Sequence, residues 1–462
     1  MPYPAAVIDI LLSLYYFYMM AGRTFISFSD NRVGDGFASR ALSWGSCHFD
    51  TAAYLNSNQY THDHYSRQDE VIALGAADAV SVDGPGAFEQ LKAFSDSHKD
   101  WLFGFFSYEL KNQLEELQSK NPEAVGMPLL YFFRPEILFV RSGNTWRLGC
   151  LPGSRLKNDP AKVLAAIRKF NPLPGEATVK TPVKARVSRE KYLEQVSNIK
   201  RHIQAGDIYE MNYCVEFFSD KAHIDPLLVY ERLNQASPAP FSCFFKVNGR
   251  YLLSSSPERF MAKRGDRLIS QPIKGTSARS ADEERDKALK EALFYDSKER
   301  SENVMIVDLV RNDLSRTAMA GSVQVEELFG LYSFRHVHQM ISTVVSRLHP
   351  GFHYLDAIRY AFPMGSMTGA PKIRAMQLID HYEEMSRGLY SGAVGYISPE
   401  KDFDFNVVIR SILYNGLTGY LSFIAGSAIT IGSVPEKEYE ECLLKAGAMA
   451  KAVGSERILE KH

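Results

Sequence analysis

The chain has 462 residues, 45% hydrophobic and 23% charged, the make-up of a globular protein with one large core or two. Its 53 basic and 54 acidic residues leave a net charge of -1, and no long basic run supplies the electrostatic footprint that nucleic acid requires. Cys47, Cys150, Cys214, Cys243 and Cys442 lie far apart with no metal-type pair, which fits a reducing compartment better than a disulfide framework and reads as buried thiols in a cytoplasmic protein.

From residue 5 to 21 the sequence is almost wholly apolar, but Asp9 interrupts it and no Lys or Arg precedes it. Residues 1–22 are therefore expected to be a buried or frayed N-terminal segment, or the product of a start site set too far upstream, ahead of a weak signal sequence. No membrane association is expected. Residues 23–170 form an N-terminal domain in which short β-rich runs alternate with turns. An amphipathic helix is expected at 87–98, a buried strand at 101–108 and a second helix at 110–117. Residues 171–187 shift to Pro, Gly, Thr and Lys without apolar periodicity and read as a linker. The second domain, 188–462, opens with a helix over 188–206, capped by Ser188 and striped by Tyr192, Val196 and Ile199. Strands follow at 213–218, 241–247 and 251–255, then a long charged helix over 281–303 and the apolar run 304–310. Strand-rich and helix-rich stretches do not alternate strictly, so the class is mixed α+β with antiparallel sheet.

Lys274 lies in Gln271-Pro272-Ile273-Lys274-Gly275-Thr276, after Ser256-Pro257-Glu258-Arg259. Held between an apolar residue and a glycine turn, it has little freedom to reach water, so desolvation is expected to lower its pKa and leave a nucleophilic amine. By itself the run also fits a lysine at a hairpin corner. Glu299 and Glu302 are three apart on a helix, and Glu438 and Glu441 repeat the spacing, with Lys445 one turn further. Two such pairs facing each other make a hard-oxygen site for Mg²⁺, although either pair alone is commonplace on a solvated helix. In the stretch 365–372, Thr368 or Gly369 caps a helix, Pro371 enters its first turn, and Ile373, Met376 and Ile379 form its stripe. The free N–H groups of such a start suit phosphate or carboxylate, but the glycine-lysine adjacency of a nucleotide-hydrolysing loop is missing. An ordinary helix start accounts for it as well. Arg410 ends the strand-like run 405–411, where a guanidinium needs a carboxylate from a ligand or from the protein. Ala425-Gly426-Ser427-Ala428 reads as a small-residue turn after a strand at 420–424.

Together these residues resemble the chorismate-utilising enzymes, the family that includes anthranilate, isochorismate, salicylate and aminodeoxychorismate synthases. The matching blocks are 206–209, 256–260, 272–276, 301–314, 365–372, 387–396 and 441–446, in the family order. The resemblance implies an α+β sandwich of large antiparallel sheets with outer helices, with chorismate as substrate. Anthranilate synthases usually carry alanine at position 274, and the aminating members carry lysine. The resemblance therefore implies that the Lys274 amine adds at C2 of chorismate as the 4-hydroxyl leaves, with Glu258 as general acid. Ammonia then attacks C4, giving 4-amino-4-deoxychorismate on the path to 4-aminobenzoate and folate. It further implies that Glu299, Glu302, Glu438 and Glu441 hold Mg²⁺ against the ring carboxylate. Arg410, Lys445 and Tyr390 become partners of the enolpyruvyl carboxylate, with contacts from Ser366, Thr276 and Gly426. No cysteine has the glycine-flanked setting of a glutaminase nucleophile, so ammonia is expected from a separate glutaminase subunit. Several positions depart from the family pattern, among them Ser427-Ala428, which replaces a glycine-rich pair while leaving backbone contacts possible. Gln339 replaces the histidine of anthranilate synthases, which argues against pyruvate elimination, and Glu210 replaces a common glutamine without an evident role. An anthranilate or isochorismate synthase with an unusual lysine, and a catalytically silent chorismate-binding subunit, are the competing readings.

Overall fold

The computed structural model describes residues 19–20, 22–29, 36–60, 63–153, 159–171 and 183–456; most of the apolar N-terminal segment and of the expected linker lies outside these. Alternation of side chains along the strands decides the layering. In the strand Phe241–Val247, Phe244 joins one core and Phe245 another. Tyr54 and Ala53, Ile72 and Val71, and Ile412 and Leu413 divide in the same way on neighbouring strands. One core lies beneath outer helices that include Phe37–His48, Arg189–Gln204, Pro226–Ala236 and Pro435–Ala452. The other fills the space between two sheets with aromatic rings. Phe105 meets Phe245 edge-on at 5.3 Å, and Phe106 meets Phe405 at the same distance. Each such ring contributes about 1.5–3 kcal/mol by leaving water.

The two sheets share a pair of long antiparallel strands, Glu70–Val82 and Leu130–Ser142. From this pair one sheet continues through Thr51–Asn56, Phe241–Val247, Arg250–Ser256, Ser411–Asn415 and Tyr420–Ile429 to Glu210–Ser219. The other continues through Leu102–Phe106, Ala393–Ile397, Phe403–Val407, Arg259–Arg264 and Arg267–Gln271 to Val337–Arg347, which also carries Ile273–Ala278. All these pairings are antiparallel, as the sequence pattern implies. None of the described helices is long and apolar enough to cross a membrane.

Several local expectations need correction. The charged helix is two helices, Glu283–Tyr295 and Ser297–Ser315, because Asp296 leaves the helical conformation and its carboxylate accepts the Glu299 N–H as a cap. The apolar run 304–310 lies within the second helix, which buries Ile306, Val307 and Val310 of it and leaves Val304 exposed. The helix expected at 110–117 shrinks to Lys111–Leu114. Residues 425–428 do not turn but extend the strand Tyr420–Ile429. Gly426 stands there because a Cβ would come within 2.4 Å of Cys214 Sγ and 2.5 Å of Tyr213 O on the adjacent strand. The helix after 365–372 starts only at Lys372, with Thr368 Oγ1 turned back to Met364 O and Gly365 O, and Ile373 lies on its exposed side. Lys372 itself pairs with Asp313 at 2.7 Å. Cys47 is exposed, whereas the other four thiols are buried.

A buried clip ties three of these segments together. Arg387 is paired in a fork with Glu383 at 2.6 and 2.9 Å and donates to Met367 O at 2.6 Å and Asn212 O at 3.0 Å. Glu383 also accepts the Cys214 N–H at 2.9 Å. Arg387→Met leaves Glu383 buried without its cation, and should cost about 3–5 kcal/mol in urea unfolding; a loss below about 1 kcal/mol, the scale of a surface pair, would contradict a structural role for the clip.

Candidate active site

The strand Ile273–Ala278 pairs with Val337–Arg347, but its register slips between Ile273 opposite Ile341 and Thr276 opposite Gln339. The extra residue places Lys274 and Gly275 in a bulge, a device that re-aims a side chain. Gly275 has φ 93, and a Cβ there would press within 3.3 Å of Glu299 Oε2, Leu293 Cδ1 and Met340 Cβ. Asn303 Nδ2 approaches Lys274 O at 3.5 Å and is itself held by Ser342 Oγ at 2.6 Å. The strand position and its supports thus aim the lysine inward.

Lys274 Nζ donates to Glu210 Oε1 at 2.9 Å. Glu210 begins the strand Glu210–Ser219, where it pairs with Ala370, and is 1% exposed; its Oε2 accepts no hydrogen bond. The expected lowering of the lysine pKa is overturned. Burial does push it down, but the carboxylates of Glu210, Glu302 and Glu258 outweigh burial and raise it, so the resting group is an ammonium. These acids are remote in sequence, which is why local desolvation alone gave the wrong sign.

Glu258 follows the strand Arg250–Ser256; its N–H donates to Ser256 Oγ at 3.3 Å and its carbonyl accepts the Val407 N–H at 3.0 Å. Burial pushes its carboxyl up to about 7, against the Ser366 hydroxyl, the Lys274 charge, the Ile273 N–H and Lys445. Such a carboxyl carries a proton in a good fraction of molecules at neutral pH, as a general acid requires. Ser366 shares a small cavity with it. Its hydroxyl is close enough to hold the carboxyl down but completes no hydrogen bond of good geometry, while Asn212 Nδ2 fixes its carbonyl at 2.5 Å.

The four expected metal ligands come from two helices. Glu299 and Glu302 lie in the first two turns of Ser297–Ser315, and Glu438 and Glu441 at the start of Pro435–Ala452. Among the described residues no three acids, histidines or cysteines form a ready-made coordination shell. An ammonium stands in for a cation instead: Lys298 Nζ is 3.7 Å from both Glu302 Oε1 and Glu438 Oε1. Burial lowers the Lys298 pKa, but Glu302, Glu438, Glu299 and Glu441 raise it further, so the same four carboxylates converge on one positive charge. Glu302 is pushed up to about 7, chiefly by burial, and its Oε1 accepts no hydrogen bond. A hard cation fits a buried, under-satisfied oxygen of this kind. Lys445 pairs with Glu441 at 2.5 Å and donates to Gly426 O at 2.9 Å, so Gly426 contributes its carbonyl.

Arg410 sits between Phe403–Val407 and Ser411–Asn415 in a left-handed conformation, φ 51. Its carbonyl accepts the Ser255 N–H at 3.1 Å, but its guanidinium makes no hydrogen bond or ion pair among the described residues; burial lowers its pKa against the pull of Tyr390 and Glu441. It is a partly buried cation that wants an anion. Tyr390 is buried nearby with its hydroxyl 3.8 Å from Cys214 Sγ. Thr276 is exposed at the margin. The structure therefore brings Lys274, Glu258 and Glu302 into one electrostatic cluster, and Glu441 feels both the Lys274 charge of that cluster and the guanidinium of Arg410, beside which Tyr390 lies. The sequence reading missed the partnership of Glu210 and overlooked Lys298, although the i,i+4 spacing of Lys298 to Glu302 was a usable signal.

The profile of the chorismate binding enzymes matches residues 50–451. Over 379 residues the chain is 36% identical to anthranilate synthase component 1 of Thermus thermophilus, covering 79% of this chain and 81% of that one. Over 380 residues it is 34% identical to aminodeoxychorismate synthase component 1 of Klebsiella aerogenes, covering 81% and 83%. The crystal structure of anthranilate synthase component I from Streptococcus pneumoniae TIGR4 superposes with a TM-score of 0.73 at 25% identity, over 85% of this chain and 94% of that one. The fold, the ordered motifs and these likenesses agree: the chain belongs to the chorismate binding enzyme family.

Proposed function

We propose that the chain is the chorismate-aminating component of a two-part synthase, converting chorismate and ammonia to 4-amino-4-deoxychorismate through a covalent adduct at Lys274. The observation that carries this reading is the bulge-borne Lys274 ammonium, hydrogen-bonded to Glu210 and facing the high-pKa carboxyl of Glu258.

The lysine must first lose a proton, and the Glu210 carboxylate is the acceptor already in contact with it. The free amine forms a bond to C2 of chorismate, the ring π electrons shift, and the C4–O bond breaks. Glu258 gives its proton to the departing hydroxyl, which leaves as water. Ammonia then bonds to C4, the π electrons return, and the C2–N bond breaks, restoring the lysine. Arg410, with Tyr390 and Lys445, takes the enolpyruvyl carboxylate, and Ser366, Gly426 and Thr276 border the ring. Glu299, Glu302, Glu438 and Glu441 would hold magnesium, which neutralises and anchors the ring carboxylate when bound. Ammonia would come from a separate glutaminase, in keeping with relatives named as component 1. The setting is cytoplasmic.

With chorismate, MgCl₂ and an ammonium salt, the purified chain should form 4-amino-4-deoxychorismate, and Lys274→Ala should lose that activity while keeping its melting temperature. Anthranilate fluorescence or isochorismate as the product would reverse the choice of reaction, and undiminished turnover by the alanine variant would remove the covalent route. Glu302→Gln should raise the Mg²⁺ concentration needed for half-maximal rate by about ten- to a hundredfold. An unchanged requirement would take Glu302 out of the shell.

A further inference from the structure

The acidic cluster carries a cation of its own, and the role inferred for that cation rests on the assignment of a divalent ion to the cluster. Glu302 and Glu438 come from different helices, both are buried, and they would repel each other if nothing positive lay between them. Lys298 Nζ lies there, 3.7 Å from an oxygen of each. That is longer than the roughly 2.7–2.9 Å of a charge-assisted hydrogen bond. The ammonium thus balances both carboxylates without being locked to either. Its side chain is 48% exposed, so the flexible stem has a route to water.

A divalent ion bonded to oxygen at about 2.0–2.1 Å needs the charge balance that this ammonium already supplies. We propose that Lys298 is a resident counter-ion that holds the seat between Glu302 and Glu438 until magnesium displaces it, and so weakens metal binding before chorismate arrives. It is a positioning residue, acting through the carboxylates on either side. The competition has a signature that simple bracing lacks. Removing the charge while keeping the stem should tighten the metal and loosen the metal-free fold, whereas loss of a mere brace should weaken both.

The test uses Mn²⁺ as the probe, with free ion counted by electron paramagnetic resonance in the absence of chorismate, on the wild type, Lys298→Met, Lys298→Gln and Lys298→Arg. Either neutral variant should lower the Mn²⁺ dissociation constant at least about tenfold, the scale of one competing charge removed. Its metal-free melting temperature should fall and recover on adding Mn²⁺, and Lys298→Arg should stay near the wild type. Affinity that is unchanged or weaker in the neutral variants, with Mn²⁺ still bound by the wild type, overturns the role of Lys298 and leaves the metal assignment standing. Absence of Mn²⁺ binding by every form, with chorismate present as well, overturns the metal assignment and this inference together.

Discussion

The ammonium of Lys274 is the charge on which the site depends. Without it Glu210, 1% exposed, would be a bare carboxylate in a low-dielectric interior, beside a Glu302 already driven up to about 7. With it, the acids coexist, at the cost of holding the nucleophile in its unreactive form. Reactivity then becomes a matter of proton transfer within a hydrogen bond that is already made, and not of a lysine kept neutral by apolar walls. Away from this pair the balance of sign changes. Lys298 and Lys445 offset the glutamates of the two helices, while the Arg410 guanidinium has no hydrogen-bond or ion-pair partner among the described residues.

The scaffold achieves this through rigid backbone. Lys274 projects from a bulge, Glu210 from the first residue of a fully buried strand, and Glu258 from the end of another. The Arg387–Glu383 clip fixes the segment bearing Ser366 to the strand that bears Glu210. Segments far apart in the chain share ladders, as when Thr51–Asn56 pairs with Phe241–Val247 and Leu102–Phe106 with Ala393–Ile397. The site is thus held by the double sheet itself, which suits chemistry that needs a ring, a proton donor and a nucleophile in fixed register.

Features with local causes were legible in the sequence. Ser188 caps its helix by accepting the Lys191 N–H, Tyr192, Val196 and Ile199 form its buried stripe, and the strand Phe241–Val247 has the bounds that its pattern gives. The glutamate spacing correctly placed each pair on one helix. Features with distant causes were not legible. Gly426 looked like a turn residue because its reason, the close approach of Cys214, lies on another strand. The break at Asp296 was hidden because charged residues continue a helical pattern on both sides, and only a cap marks the join. The sign of the Lys274 shift depends on Glu210, Glu258 and Glu302, and no window around residue 274 contains them all.

The most direct measurement is intact-protein and peptide mass spectrometry after exposing the chain to chorismate and MgCl₂ with ammonia withheld. A covalent route through Lys274 predicts a mass gain equal to chorismate less one water, confined to the peptide that carries Lys274 and discharged when an ammonium salt is added. Release of 4-amino-4-deoxychorismate on adding ammonia, with no adduct at Lys274 on any timescale down to a single turnover, would contradict it.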